Sequence, residues 1–284
     1  MRFSLNLPNF GDFADPRRVA EVATAAEEAG WDGVFVWDHL TYRKSEGRAL
    51  ADPWILLAAA GMVTDRILLG PLVTPVARRR PGKLARELVT LDHLTGGRTV
   101  FGAGLGSILD DEFGSFGEPT DPKVLAQRLD EGLEAVDLLC SGEQVSYQGT
   151  HVTMDEVRFL PRPVQRPRIP VWIAGRWPNK APFRRAARWD GAVPLFEGYQ
   201  TQRPPSPGDV GALADLLRGL RTAEGRESEP FDLVVGGETT PGDRGLVADL
   251  AAAGATWWDE RMPFDERLDQ VEPYLRRIEL GPPR

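Results

Sequence analysis

Short runs of β-branched or aromatic residues alternate with amphipathic stretches of roughly 10 to 18 residues, and this alternation repeats eight times along the chain. Each short run precedes an amphipathic stretch, which is the order of strand and helix in a βα unit. Eight such units without a linker at the midpoint favour a (β/α)₈ barrel, the TIM barrel of the α/β class, over a doubly wound sheet. The predicted strands cover residues 3–7, 33–37, 67–69, 99–102, 170–174, 192–196, 231–236 and 256–258.

The length of 284 residues is typical of such a barrel, and we predict one domain over residues 1–284. One excursion interrupts the alternation. Residues 145–154, with Gln148-Gly149 as the turn, predict a hairpin, and a Pro-rich run follows at residues 159–170. We therefore predict an insertion over residues 142–169, before the fifth strand.

Three of the predicted helices have clear start signals. Asp precedes Pro at residues 15–16, 52–53 and 121–122, which places an N-cap acceptor directly before a proline in the first helical turn. Gly30 stands where the first helix would need a left-handed residue at its end.

Composition limits the partners that we expect. The 34 basic and 42 acidic side chains give a net charge of −8, which would repel nucleic-acid phosphates and anionic lipid. The longest apolar run, residues 54–63, is shorter than the ~20 residues that span a bilayer, and the first residues lack the apolar stretch of a signal peptide. Cys140 is the only cysteine, so no intrachain disulfide can form. We expect a cytoplasmic protein that binds neither nucleic acid nor membrane.

In a barrel of this kind the active site lies at the carboxyl ends of the strands, where the βα loops converge. His39 follows the second predicted strand, and an imidazole at such a position can transfer protons near neutral pH. The alternative is a histidine that only bonds a neighbouring loop. No two histidines have a metal-ligand spacing, so we expect no metal. The other candidates at strand ends are Asn6, Asn9, Asp38, Thr74, residues 102–107, Gly175, Arg176, Glu197, Glu238, Asp259 and Glu260.

Two segments suggest contacts with a flat or anionic ligand. Gly102 and Gly104 lack the G-x-G-x-x-G spacing of dinucleotide sites, and they predict close approach of backbone to a ligand or to a neighbouring strand. Gly175 and Arg176 stand at a predicted strand-to-helix turn, where backbone N–H groups, the helix over residues 179–188 and the guanidinium could bind an anion. The basic run at residues 78–80 is expected to be a solvated loop face, with contact to a phosphate or a ligand carboxylate as the alternative.

Four segments resemble the luciferase-like flavin- or deazaflavin-dependent oxidoreductases. They are GVFVWDHL (residues 33–40), ILLGPLVTP (67–75), LDHLTGGR followed by VFGAG (91–104) and FLPRPVQRPRIPVWIAG (159–175). The resemblance implies a (β/α)₈ barrel with the tricyclic ring of FMN or coenzyme F420 in its mouth. It also implies a strand-three bulge near Leu72 and Val73, which often carries a non-proline cis peptide, and a phosphate at Gly175 and Arg176.

The sequence Asp38-His39-Leu40 is similar to that of the F420-dependent members and favours F420 over FMN. By this resemblance His39 assists proton movement while a hydride passes between the deazaflavin and a small organic substrate. Asn6, Trp37 and Thr74 would line the mouth, and Leu72, Val73, Gly102 and Gly104 would contact the ring.

The chain departs from the family's pattern at two places. Leu105 stands where some sugar-phosphate dehydrogenases carry a glutamate, for which Asp110, Asp111 or Glu112 could substitute, although residues 111–113 fit the family's general Glu-Glu-Phe pattern. The loop after strand seven, residues 238–243, is shorter than the mobile loop of bacterial luciferase, which favours hydride transfer over oxygenation.

Three alternatives remain open at this point. The first is an FMN-dependent monooxygenase on the same barrel, and the second is a non-catalytic flavin-binding barrel. The third is a flavin-free isomerase with Glu197 or Glu238 as base. By analogy with the family we expect a homodimer that pairs through outer helices such as residues 53–63.

Overall fold

The structure is a computed structural model that describes residues 1–107, 112–240 and 243–284. Most of its strands form one parallel sheet in the order β3-β2-β1-β11-β10-β9-β8-β5-β4, while β6 and β7 form a separate antiparallel hairpin. The strands are β1 (Arg2–Leu7), β2 (Gly33–Val36), β3 (Leu68–Pro71), β4 (Thr74–Pro75), β5 (Phe101–Gly104), β6 (Gln144–Gln148), β7 (Thr153–Arg158), β8 (Val171–Arg176), β9 (Gly191–Leu195), β10 (Asp232–Gly237) and β11 (Trp257–Arg261).

The sheet closes into the predicted barrel because β3 and β4 are two halves of one strand. β3 lies beside β2, and β4 pairs with β5 at the other end of the strand order. Backbone bonds also join Leu69 to the segment before β5: its N–H donates to the Arg98 carbonyl at 2.9 Å, and its carbonyl accepts from Val100 N at 2.9 Å. The Leu72–Val73 peptide between the two halves is cis, as the resemblance implied.

Helices cover the outside of the ring, and the three Asp-Pro signals are confirmed. The carboxylates of Asp15, Asp52 and Asp121 each accept a bond from a backbone N–H in the first turn of the helix that follows. None of the helices within the described residues is both long and apolar enough to cross a membrane. The helices are α1 (Pro16–Glu28), α2 (Pro53–Gly61), α3 (Pro81–Leu94), α4 (Pro122–Cys140), α5 (Lys180–Ala186), α6 (Pro207–Ala223), α7 (Arg244–Ala252) and α8 (Val271–Glu279).

The interior of the barrel is filled by aromatic side chains below the carboxyl ends of the strands. The rings of Phe35 and Trp172 lie 5.3 Å apart, and Trp172 lies 5.3 Å from Trp257. Such pairs add about 0.5–1.5 kcal/mol to the burial of their area. Trp258, one residue along β11, faces the surrounding helices instead, as strand alternation requires. The packed interior leaves the carboxyl ends as the part of the barrel that can take a ligand.

The predicted hairpin is confirmed, and its strands run further than residues 145–154. Its turn is attached to α4, because the Glu131 carboxylate accepts bonds from the backbone N–H groups of residues 150–152 at 2.7 to 2.9 Å. The treatment of residues 1–284 as one domain with an insertion at 142–169 stays a prediction.

Candidate functional site

His39 lies just beyond the end of β2, in a loop that Asn9 fixes. The Asn9 amide donates to the carbonyls of His39 and Ala51, both at 2.8 Å. Two aromatic rings contact the imidazole at steep angles: Tyr42, with its centroid at 5.2 Å, and Trp37, at 5.8 Å. The His39 side chain is 18% exposed, so the ring is held firmly and still reaches the surface of the barrel mouth.

Glu112 approaches the same imidazole from the loop after β5. Its Oε2 lies 3.2 Å from His39 Nδ1, an ion-pair distance whose angles fall outside those of a hydrogen bond. Its Oε1 accepts bonds from the backbone N–H groups of Leu40 at 2.5 Å and Thr41 at 3.0 Å. From the sequence, Glu112 was a possible substitute for the glutamate of some sugar-phosphate dehydrogenases and part of a family pattern, but its pairing with His39 was missed. Asp110 and Asp111, the other two candidates for that role, lie outside the described residues.

Both carboxylate oxygens of Asp38, the residue before His39, have hydrogen-bonding partners. Its carboxylate bonds Arg78 Nη2 at 2.8 Å and Arg79 Nη2 at 2.6 Å, and it also accepts from the Thr74 hydroxyl. Burial by itself would raise the pKa of Asp38, but the Arg79 and Arg78 guanidinium groups outweigh it and hold that pKa below its ordinary value. The expectation of a solvated face at residues 78–80 is wrong for Arg78 and Arg79, whose side chains are 4% and 14% exposed. Both are buried because they neutralise Asp38.

A buried polar layer lies inside the barrel mouth, between β1 and β11. Asp259 accepts bonds from Ser4 Oγ, Asn6 Nδ2 and Arg261 Nε, each at 2.8 Å. Asn6 also accepts from the indole N–H of Trp37, so this layer holds Trp37 in place.

Arg261 is a site residue that the sequence analysis missed, because β11 extends beyond the predicted residues 256–258. Its side chain is 9% exposed, and within the described part of the chain its Nη1 and Nη2 make no hydrogen bond. Gly236 makes room for it, since an added Cβ would lie 2.7 Å from Arg261 Nε. The guanidinium therefore offers unused donors to an oxygen atom of a ligand.

The longer β11 also corrects the assignment of Glu260. This residue lies within the strand and faces the outer helices, where its carboxylate bonds Arg277, Thr239 and Trp258. Burial raises the pKa of Glu260 against the opposing effect of Arg277. Glu260 is thus not a mouth residue.

Aromatic side chains form one wall of the mouth. The ring of Phe264, in the loop after β11, lies 5.8 Å from Trp37 and 6.5 Å from Tyr199. Tyr199 in turn accepts a bond from Arg176 Nη2 at 2.9 Å, and the guanidinium lies over its ring at 5.2 Å. Phe264 and Tyr199 were absent from the predicted site, because nothing in their local sequence shows that their loops meet.

Glycines form the opposite wall, where backbones of neighbouring strands approach closely. A Cβ on Gly102 would lie 2.1 Å from the Pro71 carbonyl oxygen, and one on Gly104 would lie 2.6 Å from Val73 Cγ2. The close approach of a neighbouring strand is therefore confirmed. Contact of Leu72, Val73, Thr74, Gly102 and Gly104 with a cofactor stays a prediction.

The residues of the predicted anion site do not lie in a strand-to-helix turn, as expected, but in a strand. Gly175 and Arg176 still belong to β8 and pair with Pro194 and Leu195, so the turn begins at Trp177. The helix that follows is α5, which is shorter than the predicted residues 179–188. Arg176 is exposed at the rim, where its guanidinium is available to a ligand as well as to Tyr199.

Glu197 and Glu238 were proposed as possible bases. Glu197 is exposed, and Glu238 bonds Arg267 at 2.7 Å on the rim. Neither carboxylate has a buried environment that would tune it for proton abstraction.

The fold and the site define a (β/α)₈ barrel with an imidazole, guanidinium and aromatic groups at the carboxyl ends of its strands. Residues 1–277 match the family described as luciferase-like monooxygenase, and the chain belongs to this family. The relatives include an F420-dependent glucose-6-phosphate dehydrogenase of Nakamurella multipartita, 36% identical over 224 residues, which are 78% of this chain and 62% of the relative. An F420-dependent hydroxymycolic acid dehydrogenase of Mycobacterium tuberculosis is 35% identical over 176 residues, or 60% of this chain and 46% of that protein. The chain thus spans about half to three-fifths of the length of these relatives.

Solved structures agree on the fold. The monooxygenase RslO1 from Streptomyces bottropensis superposes with a TM-score of 0.81 and 22% identity, over 99% of this chain and 97% of that one. An F420-dependent tetrahydromethanopterin reductase from Methanopyrus kandleri superposes with a TM-score of 0.75 and 18% identity, over 98% and 96%. At these identities the similarity establishes the shared barrel.

Proposed function

We propose that this protein is an oxidoreductase that transfers a hydride between coenzyme F420 and a small organic substrate. Relatives named as F420-dependent dehydrogenases support the proposal, as does the sequence Asp38-His39-Leu40 after β2. The observation that carries it is the position of His39. Its ring is oriented by Trp37 and Tyr42 at the barrel mouth, and its Nε2 makes no hydrogen bond to a described residue.

The residues of the mouth fit a flat, anionic cofactor. Trp37, Val73, Ala174 and Phe264 are half-buried apolar side chains at the carboxyl ends of the strands, whereas the interior below them is fully packed. A planar ring would cover this apolar surface, and the gain from its burial favours binding. Arg176 would hold the phosphate, and Gly175 keeps the adjacent backbone free of a side chain.

His39 would accept or donate the proton in the reaction. Bound F420 supplies or accepts the hydride. For oxidation of an alcohol, the substrate hydroxyl would give its proton to His39 Nε2 as the carbonyl forms. Trp37 and Phe264 would exclude water from one side of the substrate, and the unused Nη groups of Arg261 would orient a polar substituent.

Turnover of oxidised F420 with a panel of small alcohols and sugars tests the proposal. We expect loss of the F420 absorbance and transfer of deuterium from the labelled carbinol position to the cofactor. Tight F420 binding without turnover, and with no response to His39→Ala, would indicate a non-catalytic barrel instead.

An FMN-dependent monooxygenase is the second candidate, and the description of the matched family favours it. Only six positions separate β10 from α7, and residues 241–242 among them lie outside the described part of the chain. So short a connection gives little cover to an oxygenated flavin. NADPH-dependent oxygen uptake with FMN would support this candidate and contradict the F420 proposal.

We also infer a homodimer in the cytoplasm. Ile55, Met62, Val63 and Leu94 are 41 to 70% exposed at and near α2 and the end of α3, which gives this side of the barrel an apolar surface. The single, unpaired Cys140 suits a reducing compartment. Light scattering should give twice the chain mass, and Met62→Glu should shift the protein toward monomer.

A further inference from the structure

The two oxygens of Glu112 have different partners. Oε1 accepts both loop bonds, from Leu40 and Thr41, while Oε2 faces His39 Nδ1 alone. Oε2 and Nδ1 are both buried, and neither has a hydrogen-bond partner among the residues that the structure describes. Buried polar atoms without partners are costly, so a short rotation that turns the 3.2 Å contact into a hydrogen bond is favoured.

The chemistry of the pair fixes where the proton sits on a neutral imidazole. A carboxylate only accepts, so its partner nitrogen must carry the hydrogen. Nδ1 is then protonated, and the lone pair lies on Nε2, which makes no hydrogen bond to a described residue. The carboxylate also stabilises the imidazolium that forms when Nε2 gains a proton.

We propose that Glu112 is a positioning residue that fixes His39 in its Nδ1–H tautomer and so makes Nε2 the proton acceptor. The catalytic consequence rests on the proposed function. In alcohol oxidation, the substrate C–H bond gives its hydride, with two electrons, to the oxidised deazaflavin. The O–H proton passes to Nε2, and the electron pair of the O–H bond becomes the second bond of the carbonyl.

Substitution by glutamine separates the two oxygens of Glu112. In Glu112→Gln the amide oxygen can still accept the loop bonds of Leu40 and Thr41, while the NH₂ group replaces Oε2. An NH₂ donor facing Nδ1 requires the lone pair there, which moves the hydrogen to Nε2. Asn9→Ala is the matched control, because Asn9 holds the backbone of the same loop and does not contact the ring nitrogens.

The tautomer can be measured directly by nitrogen NMR of the full chain with ¹⁵N-labelled histidine, at a pH of about 9, where imidazoles are neutral. The protein has 3 histidines, so His39→Gln assigns the His39 signals. We expect the Nδ1–H tautomer in the wild type and in Asn9→Ala, and the Nε2–H tautomer in Glu112→Gln. Thermal unfolding of each variant checks that it is folded.

Activity gives the second readout. Glu112→Gln should lower kcat by about 10²-fold with KM changed less than about twofold, because substrate binding does not use Nδ1. An Nε2–H tautomer in the wild type, or an Nδ1–H tautomer unchanged in Glu112→Gln, would overturn the proposal. The NMR result needs neither cofactor nor substrate. Failure of the F420 assignment is therefore distinguishable from failure of this inference.

Discussion

Asp38 and His39 are adjacent in sequence and differ completely in how their polar atoms are used. The Asp38 carboxylate is saturated by Arg78, Arg79 and Thr74, and it serves the structure. His39 has Glu112 Oε2 3.2 Å from its Nδ1 on one side, and its Nε2 makes no hydrogen bond to a described residue. A polar residue at a strand end can therefore act on a ligand when one of its hydrogen-bonding atoms has no partner in the protein and is accessible.

Replacing His39, the proposed proton acceptor, should give the largest effect on activity. His39→Gln should lower kcat by about 10²- to 10⁴-fold, the usual contribution of a general acid or base. The free energy of unfolding should fall by about 1 kcal/mol, the ordinary effect of a point substitution, because the side chain is 18% exposed and packs against two rings. Steady-state kinetics and urea unfolding check both. His93→Gln, on the outer face of α3, is the matched control, and an equal loss of activity there would remove His39 from the chemistry.

At Asp38, the neighbouring position, a substitution should mainly lower the stability of the fold. Asp38→Asn leaves the buried Arg78 without a counter-charge and Arg79 with only Glu87, whose Oε2 lies 3.5 Å from Arg79 Nη1, which should lower the free energy of unfolding by about 3–5 kcal/mol. Asp15→Asn should change it by less than about 0.5 kcal/mol, because asparagine caps a helix as well as aspartate does. Urea denaturation measures both variants. Equal stability of Asp38→Asn and wild type would show that the cluster is not structural.

Glycines on the opposite wall extend the comparison to backbone contacts. Gly102→Ala places a Cβ 2.1 Å from the Pro71 carbonyl oxygen and should destabilise the protein by about 1–3 kcal/mol. Gly82→Ala, in the first turn of α3, meets no atom within 4 Å and should be neutral or stabilising by up to about 1 kcal/mol. Thermal unfolding of the two variants tests this difference. A neutral Gly102→Ala would mean that the glycine serves a ligand and not the neighbouring strand.

The acid stability of the Asp38 cluster follows from the direction of its pKa shift. The pKa of Asp38 is lowered in the folded state. Its ionised carboxylate therefore stabilises the fold above its unfolded pKa of about 3.9, and this contribution is lost as the pH falls below that value toward the folded pKa. Wild type should lose more stability than Asp38→Asn between about pH 5 and pH 2. Parallel urea midpoints in this range would contradict the assignment.

Arg176, at the rim of the mouth, should give the smallest effect, which is on the affinity for F420. Arg176→Gln should weaken F420 binding by about tenfold through loss of a charge-assisted bond, with little change in stability. Arg184→Gln, an exposed arginine on α5, should leave binding unchanged. Fluorescence titration compares them, and an equal loss in both variants would indicate a general charge effect.

Much of the fold could be predicted from the sequence, because its signals are local. The βα period and the Asp-Pro helix starts depend on neighbours within a few residues. The cis peptide at Leu72–Val73 followed from the resemblance to a known family. These features needed no knowledge of which distant segments meet.

The site was harder to predict, because its contacts join distant segments. Arg79 lies 41 positions from Asp38, and Glu112 lies 73 positions from His39, and neither pairing has a local signal. Strand length caused the remaining error: β11 continues to Arg261, and alternation along it turns Glu260 outward and Arg261 inward. A strand end misplaced by three residues was enough to put Glu260 among the predicted site residues and to leave Arg261 out.

The preference of the protein for F420 over FMN can be measured by direct binding. Purified wild-type protein would be titrated side by side with F420 and FMN, and binding followed by fluorescence. We expect saturable binding of F420 and at least tenfold weaker binding of FMN, roughly 1.4 kcal/mol of discrimination. Tighter binding of FMN, or binding of neither cofactor, would contradict this expectation.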